Sequence, residues 1–262
     1  MHFPDVAPPD RGQSMRRLAV GGVLLLVVLA GCAGVGGSRG TDLAFEHASA
    51  GLDYVGTQSR TMNAGAGAYV TDYDGDGWTD LLAVGGERPT LFENVGGEFR
   101  PSGVLDGVNR SVLSAAFLDY DADGDRDLLL LSTDSEPLFL ENTGGDFVQR
   151  DVGFDRELAV PVGTAVGDYD GDGCADVFVV QNGDWTDRHP AGERNYSVPP
   201  GEDNGNPNHL YRGDCSSFER VTDAGITGSA WSLATSMVDI DGDGRQDIHV
   251  ANDFNYDVVY YN

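Results

Sequence analysis

The sequence predicts an all-β protein, a β-propeller of four-stranded antiparallel blades with an acidic loop joining the first two strands of each blade. Three observations carry that expectation. A loop of the form Asp-x-Asp-x-Asp-Gly-x-x-Asp occurs four times, over residues 72–80, 119–127, 168–176 and 239–247. The loops start 47, 49 and 71 residues apart, as a repeated supersecondary unit would. Short apolar runs bounded by turn residues follow them, and runs of that length read as buried strands rather than helices.

The strands can be taken in order. The first strand of each unit is an alternating or small-residue segment, at 67–70, 114–118, 164–167 and 235–238. The second is the apolar run after the loop, as at 81–84, 128–131 and 177–180. A third reads Leu91-Phe92-Glu93-Asn94, Leu138-Phe139-Leu140-Glu141-Asn142, Leu210-Tyr211-Arg212 and Val259-Tyr260-Tyr261-Asn262. Gly96-Gly97 and Gly144-Gly145 mark tight turns into a fourth strand at Phe99 and Phe147, since a two-residue hairpin turn needs positive φ. The blades are then expected at about 64–101, 111–152, 161–222 and 231–262. A unit of four short antiparallel strands repeated about every 48 residues is a propeller blade.

The loops carry the clearest chemistry. Carboxylates stand at loop positions 1, 3, 5 and 9: Asp72, Asp74, Asp76 and Asp80; Asp119, Asp121, Asp123 and Asp127; Asp168, Asp170, Asp172 and Asp176; Asp239, Asp241, Asp243 and Asp247. Position 6 is always glycine, which allows the sharp turn a Cβ would obstruct. Position 7, occupied by Trp78, Asp125, Cys174 and Arg245, would contribute its backbone carbonyl. Hard anionic oxygens converging in this way suit Ca²⁺, which takes six to eight of them at roughly 2.3–2.6 Å. Up to four Ca²⁺ ions are therefore expected. Without a cation the carboxylates would repel one another and raise each other's pKa or open the loop.

Bulk composition narrows the function classes. The 262 residues are 40% hydrophobic, enough for a packed core, and the formal net charge is −27. No lysine is present, so arginine supplies all 16 basic side chains. Nucleic acid and anionic lipid surfaces are disfavoured as partners, because phosphate contacts need clustered basic residues. The acidic, lysine-free balance resembles that of proteins from salt-loving organisms, so that a haloarchaeal source is expected; an ordinary acidic secreted protein is the other reading.

The N-terminus reads as a targeting segment. Met15-Arg16-Arg17 precedes an apolar stretch from Leu18 to Ala30, too short for a comfortable membrane span. Leu29-Ala30-Gly31-Cys32 resembles a lipobox, in which Cys32 is lipidated and becomes the mature N-terminus. Residues 1–32 are thus expected to be a signal peptide, with the true start at Met15, because Pro8-Pro9 and their neighbours are unlike a signal n-region. A plain cleaved signal is the alternative, and Arg16-Arg17 leaves Sec and Tat export both open. Residues 33–41, rich in glycine, would be a flexible tether, leaving 42–262 as the propeller.

On these residues the chain is similar to the FG-GAP/VCBS repeat of integrin alpha-chain propellers and secreted microbial proteins. Residues 218–226 (Phe-Glu-Arg-Val-Thr-Asp-Ala-Gly-Ile) and Ala251-Asn252-Asp253-Phe254 resemble the subgroup related to cartilage acidic protein and the ASPIC/UnbV proteins. Residues 45–52 match the fourth-strand pattern of 218–226, with no blade before them. Two readings stay open. Strand 43–48 closes a small four-bladed ring, or the chain is a fragment of a larger, seven-bladed one.

The remaining signals are smaller. Cys174 in the third loop and Cys215 in the expected turn between the third and fourth strands of the same blade share one face. With Cys32 given to lipid, an exported chain is expected to pair them in a disulfide; two separate thiols are the alternative. Asn109 and Asn195 fit the glycosylation sequon. Arg212-Gly213-Asp214 reads as turn chemistry. An insertion at about 183–207, between the second and third strands of blade three, should project opposite the acidic loops. Long loops on a rigid scaffold are where binding usually resides. His47, His189, His209 and His249 show no metal-ligand spacing, and no nucleophile elbow or phosphate loop occurs.

These observations point to an exported cell-surface protein, lipid-anchored on the outer face of the cytoplasmic membrane. It is expected to act as an adhesion or ligand-binding scaffold for a protein or glycan and not as an enzyme. A polysaccharide-acting enzyme and a subunit of a larger surface assembly are the alternatives.

Overall fold

The alternation of small and large apolar residues in the repeats becomes, in the computed structural model, a succession of antiparallel sheets. The structure describes residues 50–54, 67–133, 135–156, 158–183, 205–253 and 255–262. The signal peptide, Cys32, the tether, strand 43–48, Asn195 and most of the insertion lie outside them. Blade 1 comprises β1 (Gly67–Thr71), β2 (Asp80–Val84), β3 (Thr90–Val95) and β4 (Glu98–Pro101). Blade 2 comprises β5 (Ser114–Leu118), β6 (Asp127–Leu131), β7 (Leu138–Asn142) and β8 (Phe147–Arg150). Blade 3 comprises β9 (Pro161–Gly167), β10 (Asp176–Gln181), β11 (His209–Gly213) and β12 (Phe218–Val221). Blade 4 comprises β13 (Trp231–Val238), β14 (Asp247–Asp253) and β15 (Val258–Tyr260). Within each sheet the strands lie in sequence order and pair antiparallel. The fold is an all-β propeller.

The second strands of blades 2 and 3 are covered on both faces, which is why they read as unbroken apolar runs. In blade 2, Leu128 and Leu130 pack with Leu82, Val84 and Leu91 of blade 1. The alternate residues Leu129 and Leu131 pack with Val177 and Val179 of blade 3. The same phase recurs one blade on, where Phe178 and Val180 meet Ile248 and Val250 of blade 4. The core is thus a series of layers between successive sheets. Burying a Leu, Val or Phe in them contributes about 1.5–3 kcal/mol each.

The first strands stand beside one another, β1 by β5, β5 by β9 and β9 by β13. Their small residues permit this approach, and Thr164 Oγ1 donates to the carbonyl of Ala115 at 2.7 Å across blades 3 and 2. Two of these strands are longer than the expected 164–167 and 235–238. β9 begins at Pro161 and β13 at Trp231, because irregularities at Val180/Gln181 and Ser232/Ala234 let pairing resume beyond the break.

Residues outside the blades repeat as well. The carbonyl of Ala50 accepts from the N–H of Phe99 at 2.8 Å, and that of Val152 accepts from Phe218 at 2.6 Å. Gly51 and Gly153, which follow them, have φ of +83° and +96°, and a Cβ on either would overlap the carbonyl of that same phenylalanine. Residues 50–51 therefore sit against the fourth strand of blade 1 as 152–153 sit against that of blade 3.

Candidate metal-binding loops

Each acidic loop is a backbone turn wrapped around its first carboxylate. Asp72 accepts from the N–H groups of Gly75 at 2.9 Å and Gly77 at 3.0 Å. Asp168 does the same with Gly171 at 2.8 Å and Gly173 at 3.0 Å, and Asp239 with Gly242 at 2.6 Å and Gly244 at 3.0 Å. The glycines at positions 4 and 6 of these loops all have positive φ. The second loop differs at position 4, where Ala122 adopts φ of +60°. Asp119 accepts from Gly124 at 3.2 Å, while its Oδ1 is buried without a hydrogen-bond partner.

Position 9 is the hinge of the arrangement. Asp80, Asp127, Asp176 and Asp247 are all buried. One oxygen of each accepts from the N–H at position 2: Tyr73 at 3.1 Å, Tyr120 at 2.9 Å, Tyr169 at 2.8 Å and Ile240 at 2.9 Å. The other accepts from the N–H at the end of the third strand: Asn94 at 2.8 Å, Asn142 at 2.8 Å, Gly213 at 2.9 Å and Asn262 at 2.9 Å. One side chain therefore ties the loop, the second strand and the third strand together.

Carboxylates at positions 1, 3 and 9 converge in every loop, with one oxygen from each lying within 4.8 Å of the others. The position-5 carboxylates stand outside these groups of three. Asp76, Asp123, Asp172 and Asp243 accept from the position-7 N–H of Trp78, Asp125, Cys174 and Arg245 at 2.8–2.9 Å, as the position-3 carboxylates accept from the position-5 N–H. At position 7 the side chains diverge. Trp78 is half exposed, Asp125 accepts from the N–H of Gly144 at 3.1 Å, and Arg245 pairs with Asp243.

A hard divalent cation fits this donor set. Three oxygens already converge, and the buried, unpartnered Oδ1 of Asp119 is an atom whose burial is costly unless something positive or hydrogen-bonding meets it. The electrostatics agree. Burial and neighbouring carboxylates raise Asp127 and Asp176 to about 6, and Asp80 and Asp121 also lie above the ordinary range for the same two reasons. Asp247 goes the other way, held below that range by the N–H groups of Asn262 and Ile240.

A pH dependence follows for cation-free protein. Asp127 and Asp176 bind protons more tightly when folded than in the unfolded chain, where they titrate near 3.9. Their contribution is therefore fully present below about pH 4 and is lost as pH rises through about 6. Denaturant unfolding in chelator should show these two groups favouring the fold more at pH 5 than at pH 7. A divalent cation held by these carboxylates would be bound less tightly as pH falls through about 6, where protons begin to compete for them.

Residues at the ends of the third strands were not singled out from sequence. Asn94 Nδ2 donates to the carbonyl of Thr79 at 2.9 Å, clamping position 8 of its own loop. Asn142 Nδ2 clamps Arg126 at 3.1 Å and also reaches the carbonyl of Tyr73 in blade 1 at 2.6 Å. Asn262 Nδ2 reaches Tyr169 of blade 3 at 2.5 Å. The repeated terminal Asn is visible in the sequence, but there it reads only as the last residue of an expected third strand. Asn142→Ala leaves two carbonyls without their amide donor and is expected to cost about 1–3 kcal/mol in denaturant unfolding.

The other expected site residues fall as follows. Cys174 and Cys215 form a disulfide with Cα atoms 5.1 Å apart. Asn109 is exposed in the connection between blades 1 and 2. His209 is buried in β11 beside the Tyr211 hydroxyl at 3.2 Å, and burial together with Arg220 lowers it to about 4, so it is neutral at pH 7. His249 lies in β14 with Asp257 at 3.9 Å. A groove of about 450 Å³ beside Asn109 is lined by Leu105, Val108, Arg110, Leu138 and Phe147 among others.

Fold and site together define a β-propeller whose blades each carry an acidic loop between the first and second strands. Residues 72–130 and 119–179 match the FG-GAP-like repeat, so the chain carries repeats of this kind on the propeller. No curated protein matches the chain. Among solved structures it is similar to BBS1N, from its complex with ARL6DN soaked with lead. There the identity is 14% and the TM-score 0.32, with 75% of this chain and 66% of that one covered. It is also similar to the biofilm matrix protein Bap1 of V. cholerae, at 14% identity and a TM-score of 0.34, covering 71% of this chain and 34% of that one. The chain thus spans about two thirds and one third of the lengths of these two.

Proposed function

We propose that this chain is an exported, lipid-anchored propeller in which Ca²⁺ holds the acidic loops and the opposite end presents loops to a protein or glycan at the cell surface. The observation that carries this reading is the division of labour between the two ends of the blades. All four acidic loops enter the second strand at its start, at Asp80, Asp127, Asp176 and Asp247. The insertion of blade three leaves from the other end of β10, after Gln181.

The stems of that insertion are firmly held. Asn182 Nδ2 donates to the carbonyl of Ser232 at 3.1 Å, and Asn206 Nδ2 donates to the carbonyl of Asn182 at 2.6 Å. Asn208 Oδ1 accepts from the N–H of Gln181 at 2.8 Å. A long polar loop on a braced base is suited to recognition. Extracellular modules bind Ca²⁺ with Kd of about 10⁻⁴–10⁻³ M, so the sites would fill outside the cell. The lipobox-like Leu29-Ala30-Gly31-Cys32 supports anchoring.

The test replaces residues 184–204 by a short Gly-Ser linker and measures binding to surface polysaccharides and surface proteins of the source cells. Loss of binding with an unchanged melting curve is expected. Binding that survives the replacement would contradict the reading. Cys32→Ser should move the protein from the membrane fraction to the medium.

A further inference from the structure

The third acidic loop is fastened differently from the first two. In blades 1 and 2 an asparagine at the end of the third strand clamps the position-8 carbonyl, Asn94 on Thr79 and Asn142 on Arg126. The corresponding residue of blade 3 is Gly213, which keeps its N–H on Asp176 at 2.9 Å but has no amide to offer. A side chain there is excluded, since a Cβ on Gly213 would overlap the carbonyl of Ala175, the position-8 residue. Where the clamp is missing, a covalent one is present. Cys174 immediately precedes Ala175, and Cys215 lies two residues beyond Gly213.

The turn that receives the bridge is itself braced. Asp214 Oδ1 accepts from the N–H groups of Ser216 at 3.0 Å and Ser217 at 2.8 Å, and from both serine hydroxyls at 2.7 and 3.1 Å. Cys215 sits at φ of +59° within it. The bridge therefore ties position 7 of the loop to a rigid support.

Resting on the calcium reading above, we propose that the Cys174–Cys215 disulfide preorders the third loop for its cation. Breaking it would then weaken binding at that loop and not at the other three. The physical reason is the state without cation. Three like charges within one loop push it open, and an amide hydrogen bond yields to that push through ordinary fluctuation where a covalent bond does not. Reduction by a dithiol transfers two electrons and two protons to the bridge, leaving Cys174 and Cys215 as thiols and the reductant as its own cyclic disulfide. Linkage is reciprocal: the factor by which the bridge tightens Ca²⁺ is the factor by which Ca²⁺ resists reduction of the bridge.

The test uses the full chain in a dithiothreitol redox buffer, with the reduced fraction followed by thiol alkylation and mass spectrometry. Saturating Ca²⁺ is expected to shift the reduction equilibrium about tenfold toward the disulfide. Asp168→Asn should abolish the shift, and Asp72→Asn should leave it in place. A shift equal in both variants would mean that Ca²⁺ acts through global stability, and no shift in wild type would mean no coupling; either result overturns the proposal. Calorimetric titration of the oxidised protein separates this from the underlying reading. Four-site binding with no redox coupling defeats the inference alone, whereas absence of Ca²⁺ binding defeats the calcium reading itself.

Discussion

Removing divalent cations should lower the melting temperature by on the order of 20 °C. Each occupied site adds RT ln(1 + [Ca²⁺]/Kd), about 1.4–2.7 kcal/mol when Ca²⁺ exceeds Kd by ten- to a hundredfold. Four independent sites would sum to about 6–11 kcal/mol, and a domain of this size moves by roughly 2–4 °C per kcal/mol. The structural reason is the charge gathered in each loop: carboxylates at positions 1, 3 and 9 bring an oxygen each to within 4.8 Å of one another, and a cation would relieve their repulsion. Asp72→Ala should remove about a quarter of the cation-dependent stability. Thermal melts in calcium and in chelator, at matched ionic strength, measure both. A melt indifferent to chelator would contradict the role assigned to the loops.

The second large effect is expected at Asp127. Its two oxygens accept from Tyr120 and Asn142, and the side chain is buried. Asp127→Ala leaves both N–H groups without their acceptor in a place where water does not readily replace it. Each costs about 1–3 kcal/mol, so a loss of about 2–6 kcal/mol is expected in chelator, before any ion is considered. Asp127→Asn keeps one acceptor oxygen and should recover about half. Burial already favours the neutral form of this group, so removing the charge is less harmful in chelator than removing the acceptor. In calcium the order changes, because the Asn variant also loses an anionic ligand. Denaturant unfolding of the two variants with and without calcium separates the acceptor role from the ligand role.

Much of this was legible in the sequence because loop and strand repeat together. The phase of the apolar run after each loop already implies two covered faces, and Leu128 to Leu131 divide between the neighbouring blades as alternation requires. The pairing of Cys174 with Cys215 was also readable, since loop position and turn position fall at the same end of one blade. What escaped was the work of groups whose partners lie in another repeat. Asn142 reaches a carbonyl in blade 1, 69 residues away in sequence, and nothing local to either residue announces that contact. The turn contact by which position 5 accepts from the position-7 N–H through its Oδ1 was likewise not announced by the spacing. The unpartnered Oδ1 of Asp119 occurs in the one loop whose position 4 is Ala122 and not glycine, a coincidence visible only once the loop is folded.

The most direct test of the whole account is a count. Native mass spectrometry of the oxidised protein in millimolar calcium should show four bound Ca²⁺ ions, with one fewer in Asp72→Ala and one fewer in Asp239→Ala. A folded protein that carries no calcium under those conditions would contradict it.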